Sequence, residues 1–246
     1  MINQQNKNRL LILLIFGMTI IPFLIAWGFK ENSTLLKGMT NQGKLIVPLI
    51  TTERSDFIGF DKFSADNINE LSGHWLIVNV IPTNHCNENC LDALLKTRQL
   101  RLMLNKDLPR TRRVVMITTN GISPEKAQQW WLKDVLLSRL HQNVNKNDEM
   151  LFSHLLKEEN NIDDALLSKL IGTDNKAFAL NSDLIRVVPN ATLQMKIAEL
   201  RKAGIPDGML FLIDPLGNIM MQYEPGFDPY QVKSDLTHLL RISQIG

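Results

Sequence analysis

The pattern of hydrophobic and polar positions begins with one long apolar run near the N-terminus. Leu10–Phe29 is 20 residues without a charged side chain, long enough to cross the hydrocarbon core of a bilayer, roughly 30 Å thick. Lys7 and Arg9 precede the run, which favours an N-terminus on the cytoplasmic side. A cleaved signal peptide is the alternative, but no clear cleavage site with small residues follows. The pattern therefore predicts an uncleaved transmembrane anchor.

The second informative pattern is a strand followed by a helix. Trp75–Ile81 is an apolar, β-rich run interrupted only by Asn79, which predicts a buried strand. Residues 82–84 are loop formers, and from Leu91 onward leucines recur at helical spacing. The stretch therefore predicts a strand, a short loop and a helix.

The later patterns complete an α/β layout. Val114–Thr118 predicts a second buried strand. Met209–Asp214 and Ile219–Tyr223, joined by the turn residues 215–218, predict a β-hairpin, and Pro229–Ile242 predicts a closing amphipathic helix. A strand–helix–strand unit followed by a hairpin and a helix is the layout of a thioredoxin-like domain.

The residues between the second strand and the hairpin exceed what such a domain needs. Most of them have a helical pattern, which predicts a helical insertion at about 123–203. Leu45–Ile50 predicts a short strand that begins the domain, with Pro48 favouring an edge position. The predicted organisation is a cytoplasmic tail at 1–9, a transmembrane anchor at 10–29, a tether at 30–44 and a thioredoxin-like domain at 45–246.

Composition and charge change this picture little. The chain has 44% hydrophobic and 21% charged residues, as folded proteins do, and a net charge of +2 neither indicates nor excludes a membrane or nucleic-acid partner. Seven basic residues between 96 and 113 form either a solvated helix face or a docking surface for anionic lipid or an acidic partner. Aromatic residues do not interleave with them, so no nucleic-acid partner is expected.

The candidate chemistry lies in the two cysteines of the chain, Cys86 and Cys90. They are four residues apart at the predicted start of the helix, a spacing that puts both on one helical face. Two such thiols either close a disulfide or clamp a soft metal such as Cu(I). A helix N-terminus also lowers the pKa of a thiol. A bridge over so short a loop adds little stability, which favours a functional pair over a purely structural one.

His85 directly precedes the first cysteine. It either lowers the thiol pKa when protonated, completes a metal site as a third ligand, or is a solvated loop histidine. The candidate catalytic residues are therefore Cys86 and Cys90, and the candidate metal ligands are Cys86, Cys90 and His85.

Three motifs resemble the SCO/SenC proteins: Leu71–Val78, the Cys86-x-x-x-Cys90 pair and Leu212–Gly217. Members of that family are membrane-anchored, thioredoxin-like proteins that help to assemble the copper centre of cytochrome c oxidase. The resemblance covers roughly Leu45–Ile242. It implies a thioredoxin-like fold, Cu(I) as the cofactor, and an oxidase subunit or assembly factor as the partner.

Two departures separate the chain from that family. Asn87 stands where the family often has a proline. The family's third copper ligand is a histidine just before the strand equivalent to Met209–Asp214, and Ala203–Met209 contains no histidine. Pro206 lies where thioredoxin-like enzymes carry a cis-proline, and the sequence leaves both isomers open.

These observations lead to one hypothesis and two alternatives. The first is a single-pass protein of the bacterial inner membrane whose periplasmic domain assists oxidase assembly, through Cys86/Cys90 thiol redox or transient Cu(I) binding. The second is a non-catalytic module that binds a partner and carries an inert disulfide. The third is a general thiol-disulfide oxidoreductase, against which the CxxxC spacing argues, since CxxC is usual.

Overall fold

The computed structural model describes residues 4–31, 41–119, 121–124, 127, 130–131 and 183–243. The chain divides into two compact units, Met1–Gln42 and Gly43–Gly246. The first contains the helix α1 (Gln4–Glu31). Its described apolar side chains are mostly exposed, including Met18 and Phe23 at 76% each.

The run predicted as a membrane anchor at residues 10–29 is therefore helical, as part of α1. Among the helices of the described residues, however, none combines the length and the apolarity required to cross a membrane. This finding does not support the transmembrane anchor predicted at 10–29.

The second unit is built on one mixed sheet of seven strands in the order β1-β7-β6-β3-β4-β5-β2. The strands are β1 (Lys44–Thr51), β2 (Phe57–Gly59), β3 (Trp75–Ile81), β4 (Thr111–Ile117), β5 (Leu184–Pro189), β6 (Leu210–Ile213) and β7 (Asn218–Tyr223). The pairs β3–β4 and β4–β5 are parallel, and the other neighbouring pairs are antiparallel.

The central strand β3 is buried along its whole length, because the sheet is covered on both faces. Leu76, Val78 and Val80 point into the core on one face, and Trp75 and Ile77 point into the core on the other. This two-sided burial explains why the strand reads as an almost continuous apolar run.

Helices and short 3₁₀ turns cover the sheet. The helices with fully described bounds are α2 (Lys62–Asp66), α3 (Glu88–Met103), α4 (Ala191–Leu200) and α5 (Pro229–Ile242). The 3₁₀ turns are Arg54–Asp56, Ile68–Leu71 and Asn105–Arg110. Asn79, the polar residue of β3, is buried beneath α3 and donates through Nδ2 to Thr97 Oγ1 at 2.9 Å.

Most predicted elements of the domain are confirmed. The strand Trp75–Ile81 and the closing helix Pro229–Ile242 have the predicted bounds. The predicted hairpin is formed by β6 and β7, and the predicted first strand is β1 at one edge of the sheet. The helix predicted after the cysteine loop is α3.

The helical insertion predicted at about 123–203 needs a correction. Residues 184–189 form β5, which pairs in parallel with β4 inside the sheet, so this part of the segment belongs to the domain core. Residues 132–182 of the predicted insertion lie outside the described residues. Pro124, Ala127, Trp130 and Trp131 are helical.

The two edge strands are irregular. In β1, Pro48 lies between the exposed Val47 and Leu49, and the pairing with β7 shifts register between Leu45 and Ile50. At the other edge, β2 is three residues long. Among the described residues, the cis peptide bond is Val47–Pro48, so the bond before Pro206 is trans.

Candidate functional site

The two cysteines form a disulfide at the end of β3. Cys86 lies in the loop after the strand, Cys90 lies in the first turn of α3, and their Cα atoms are 5.2 Å apart. Cys90 is buried, with 2% of its surface exposed, whereas Cys86 is half-buried. A partner thiol approaching from solvent therefore meets Cys86 first.

Asn87 explains how the chain begins a helix between the two cysteines. Its side-chain Oδ1 accepts a hydrogen bond from the Cys90 backbone N–H at 3.1 Å, which makes Asn87 the N-cap of α3. Cys86 and Cys90 therefore flank the positive end of the helix dipole, which stabilises a thiolate. A proline at position 87 could not supply this side-chain cap.

Asp207 connects the loop before β6 to the cysteine loop. Its carboxylate accepts from Thr83 Oγ1 at 3.0 Å and from Asn87 Nδ2 at 2.8 Å. Burial raises the pKa of Asp207, and the Thr83 hydrogen bond and the charge of His85 offset part of that rise. A single carboxyl group thus holds both the loop and the helix cap that carry the cysteines.

Gly208 brings the backbone of the same loop against the start of α3. It has φ +83°, and a Cβ added there would lie 2.4 Å from the carbonyl oxygen of Asn89, between the cysteines. The next residue, Met209, accepts a hydrogen bond from the Val80 N–H at 3.0 Å. Position 208 therefore requires glycine for both its conformation and the close approach.

His85 lies beside this pair on the exposed side of the loop. Its Nδ1 is 3.1 Å from Asn84 Oδ1. Among the residues that the structure describes, no group of three or more His, Cys, Asp or Glu is arranged to hold a metal ion. The role of His85 as a third ligand stays a prediction from the sequence.

An aromatic pair packs behind the disulfide. Trp130 and Trp131 are buried at 6% and 8% exposure, with ring centroids 5.8 Å apart and planes at 80°. They belong to one apolar cluster with Cys90, Ile81 and Leu94, against which Cys86 also packs. The side of the disulfide that faces the protein is therefore apolar.

A family model matches the C-terminal part of the chain. Residues 151–243, less than half of the chain, match the family described as transmembrane-like, thioredoxin-like, C-terminal domain. The described strands agree with it: the hairpin β6–β7 lies beside the parallel pair β3–β4, with the cysteines at the end of β3. The chain has a thioredoxin-like fold. No curated protein matches the chain.

Solved structures that resemble this thioredoxin-like chain include three SCO proteins. They are apo Sco1 from Thermus thermophilus (11% identity, TM-score 0.44, covering 82% of this chain and 99% of that one), copper-bound ScoI from Arabidopsis thaliana (12%, 0.40, 71% and 88%) and a SCO1/SenC family lipoprotein from Bacillus anthracis (12%, 0.38, 79% and 99%). SCO/SenC is the family that the sequence motifs resemble. Similarities of this size say nothing about the ligands or partners of this thioredoxin-like chain.

Three of the seven basic residues between 96 and 113 form long-range ion pairs within the thioredoxin-like domain. Arg112 pairs with Glu70 at 2.7 Å, and Arg101 and Arg113 both pair with Asp183, which directly precedes β5. Arg113 is 1% exposed. These ion pairs favour a structural role for the three arginines, and a docking surface at this cluster stays a prediction.

Sequence reasoning missed Thr83, Asp207 and Gly208 as parts of the site. The available clue was the Pro-Asp-Gly turn directly before β6. Because β6 runs antiparallel to β3, the start of β6 lies beside the end of β3, where the cysteine loop begins. The antiparallel pairing of β3 with β6 thus identifies residues 206–208 as neighbours of the cysteine loop.

Proposed function

We propose that this chain is a membrane-attached, thioredoxin-like accessory protein that assists cytochrome c oxidase assembly by thiol-disulfide exchange at Cys86 and Cys90. The observation that carries the proposal is the disulfide at the start of α3, with Cys86 half-buried on the loop and Cys90 buried behind it. The oxidase as the target is supported by the SCO/SenC-like motifs.

The exchange follows from the unequal exposure of the two sulfurs. A thiolate of a partner dithiol attacks Cys86 Sγ, the bond to Cys90 Sγ breaks, and Cys90 leaves as a thiolate. The second partner thiolate then attacks the partner's own sulfur in the mixed disulfide and releases Cys86. The partner loses two electrons and ends as a disulfide, while the Cys86/Cys90 pair gains them and takes up protons from solvent according to pH.

Copper is the cofactor that the family resemblance implies, and the described residues fit it only in part. Reduced Cys86 and Cys90 would offer two thiolates, a soft donor set suited to Cu(I). No three-ligand group exists among the described residues, and Pro206-Asp207-Gly208 occupies the stretch where the family has its histidine. Thiol-disulfide exchange is therefore the first hypothesis for the function of Cys86 and Cys90, and binding of Cu(I) by their two thiolates is the second.

An inert structural disulfide is the competing reading. The bridge closes a loop of five residues, for which the chain-entropy relation gives a stabilisation of about 2 kcal/mol. Structural disulfides resist reduction, with potentials below about −300 mV, whereas exchange-active ones have higher potentials. The reduction potential therefore separates the two readings.

The deciding experiment equilibrates the full-length chain in dithiothreitol redox buffers and counts free thiols by alkylation and mass spectrometry. We expect a two-electron transition above about −300 mV. The Cys86→Ser/Cys90→Ser variant, which has no thiols, controls for non-specific labelling. A potential below that value would support the inert bridge and refute the proposed exchange.

The same preparation tests the copper alternative. Cu(I) is added to the reduced chain and to the double-serine variant under anaerobic conditions. Stoichiometric binding that the variant loses would favour copper carriage, and equal weak binding by both would exclude it. A high potential without thiol-dependent copper binding is the result that the exchange proposal expects.

Attachment to the bacterial inner membrane, with the second unit in the periplasm, completes the proposal. Its support is the uncharged run Leu10–Phe29, preceded by Lys7 and Arg9. A location in the periplasm is consistent with the disulfide between the two cysteines, because the periplasm is an oxidising compartment in which disulfides persist.

A further inference from the structure

A small pocket lies at the end of β3 opposite to the cysteines. Its volume is about 90 Å³, and it is lined by the connection from β1 to β2, the segment that leads into β3 and the β6–β7 turn. Leu76 in this lining is the second residue of β3, whereas the cysteine loop follows the last residue, Ile81. At about 3.3 Å per residue, the two ends of the strand are about 20 Å apart. The pocket is therefore distinct from the disulfide site.

The floor of the pocket is apolar. Phe57, Leu71 and Leu76 line it with 6%, 6% and 3% of their surfaces exposed, and all three belong to one core cluster. The neighbouring Leu216, in the β6–β7 turn, leaves 67% of its surface exposed. A group that enters the pocket thus removes apolar surface from water, which favours binding of hydrocarbon.

Backbone hydrogen bonds hold the walls of the pocket in place. Thr52 donates to the Gly217 carbonyl oxygen twice, through its backbone N–H and through Oγ1, at 2.8 Å each. The Gly73 N–H donates to the Pro215 carbonyl oxygen at 3.3 Å. The segments that line the pocket are therefore tied to one another, and a ligand does not have to rearrange them in order to bind.

Two hydrogen-bond donors at the pocket are available to a ligand. Among the residues that the structure describes, neither the Arg54 guanidinium nor the Ser72 hydroxyl has a hydrogen-bond or ion-pair partner, and both residues are exposed. The acidic residues next to them in the chain, Glu53, Asp56 and Glu70, accept hydrogen bonds from Ser55, Asn190 and Arg112 respectively. An anionic group at this position would therefore meet one cation and one hydroxyl beside an apolar floor.

The volume limits the size of the group that the pocket can hold. Drug-sized ligands occupy pockets of about 300–1,000 Å³, and benzene binds in an apolar protein cavity of about 150 Å³. A volume of about 90 Å³ therefore suits a branched aliphatic group smaller than a benzene ring.

We propose that this pocket binds a carboxylate that carries a short branched aliphatic group. The aliphatic group lies on Phe57, Leu71 and Leu76, and the carboxylate accepts from the Arg54 guanidinium. Such a group is supplied either by a free short-chain acid or by the C-terminal leucine or valine of a protein chain. The inference does not depend on the proposed thiol exchange, because the pocket contains neither cysteine.

The test titrates the full-length chain in detergent with 3-methylbutanoate and follows binding by saturation-transfer NMR. Two analogues separate the two parts of this ligand. Acetate keeps the charge but lacks the branched group, and should bind at least about tenfold more weakly. The neutral 3-methylbutanamide keeps the branched group, and should bind about threefold to tenfold more weakly, since an exposed guanidinium contributes only modestly.

Variants of Arg54 test the position of the carboxylate. Arg54→Gln should weaken binding of 3-methylbutanoate about threefold to tenfold and leave binding of the amide unchanged. Arg54→Lys keeps the charge and should restore part of the loss. Arg241→Gln is the matched control, because Arg241 is an exposed arginine in the last turn of α5 and does not line the pocket. It should bind as the parent does.

Equal binding of 3-methylbutanoate by the parent and Arg54→Gln would overturn the proposal, and so would a signal no larger than that of detergent alone. Two tripeptides that end in leucine, one with a free carboxylate and one with an amide, distinguish the two sources of the ligand. Competition by the free carboxylate peptide alone would support the C-terminus of a protein chain. Binding of 3-methylbutanoate without competition by either peptide would support a free acid.

Discussion

Gly208→Ala tests how closely the loop before β6 approaches the cysteine helix. The substitution adds one methyl group, which would lie 2.4 Å from the Asn89 carbonyl oxygen and 2.8 Å from its carbonyl carbon. Atoms of a backbone cannot move aside as a flexible side chain can, so α3 or the loop must shift. We expect this shift at the turn of the helix that carries Cys90.

The expected loss has two contributions that can be separated. A non-glycine residue at φ +83° is disfavoured by about 1–2 kcal/mol. Relief of the overlap with Asn89 adds about 1–3 kcal/mol, as in other overpacked sites. The free energy of unfolding should therefore fall by about 2–5 kcal/mol, summing the two ranges.

Gly204→Ala is the matched control within the same loop. Gly204 has φ +85°, and an added Cβ there meets nothing within 4 Å. It should show the backbone contribution alone, about 1–2 kcal/mol. Urea denaturation of the full chain, followed by circular dichroism, measures both values, provided the slope of the transition is unchanged. Equal losses for the two variants would show that the close approach to Asn89 is absent and would refute the reasoning.

Two further predictions concern the stability of the protein in acid and its attachment to the membrane. Asp61→Asn keeps the N-cap of α2 but removes the ion pair with Arg186, which is 2.7 Å long. Burial pushes the pKa of Asp61 upward, but hydrogen bonds from Ser64 and Arg186 outweigh it and leave the pKa below 3.8. The stabilisation of the fold by ionised Asp61 is therefore present above pH 3.8 and is lost as the pH falls through the lowered pKa. The free energy of unfolding of Asp61→Asn should be about 1 kcal/mol lower than that of the parent at neutral pH and equal to it in strong acid. A difference in urea denaturation that does not change with pH would contradict this. If residues 10–29 form a membrane anchor, the full chain should stay in the membrane fraction after alkaline extraction. Ile20→Arg should release it, because a charged residue at the centre of a membrane helix makes insertion less favourable by about 2.5–3.5 kcal/mol. Recovery of the wild-type chain in the soluble fraction would contradict the anchor.

The strand, loop and helix around the cysteines could be predicted because each depends on neighbouring residues. The apolar run of β3 reflects burial on both faces, and the helix start is marked by a capping Asn87. The final hairpin and α5 are predictable for the same reason, since a turn sequence and a 3.6-residue period identify them locally.

The strand β5 could not be predicted with the same ease, because a charge interrupts it. Arg186 lies in the middle of Leu184–Pro189 and makes a short run look polar. In the folded protein its guanidinium pairs with Asp61 and lies 5.1 Å from the ring centroid of Trp131. Both partners are far away in sequence, so the local pattern does not show that the charge is compensated.

Asp207 was missed for a related reason. Its partner Asn87 is 120 residues earlier in the chain, and the hydrogen bond between them exists only once β6 has paired with β3. The SCO/SenC motif has a histidine in this stretch, and Ala203–Met209 contains none. The residue present instead is a carboxyl group whose hydrogen bonds reach the cysteine loop.

The two irregular edge strands limit how this protein can meet other chains. Strand addition requires a free row of backbone N–H and C=O groups. Within the part of the chain that the structure describes, Pro48 lacks an N–H in the middle of β1 and β2 has only three residues, so neither of these edge strands offers a continuous template. Val47 nevertheless leaves 86% of its surface exposed. The edge at β1 therefore presents apolar side chains in place of a continuous row of backbone groups, an arrangement that disfavours the edge-to-edge strand pairing with which fibrillar aggregation begins.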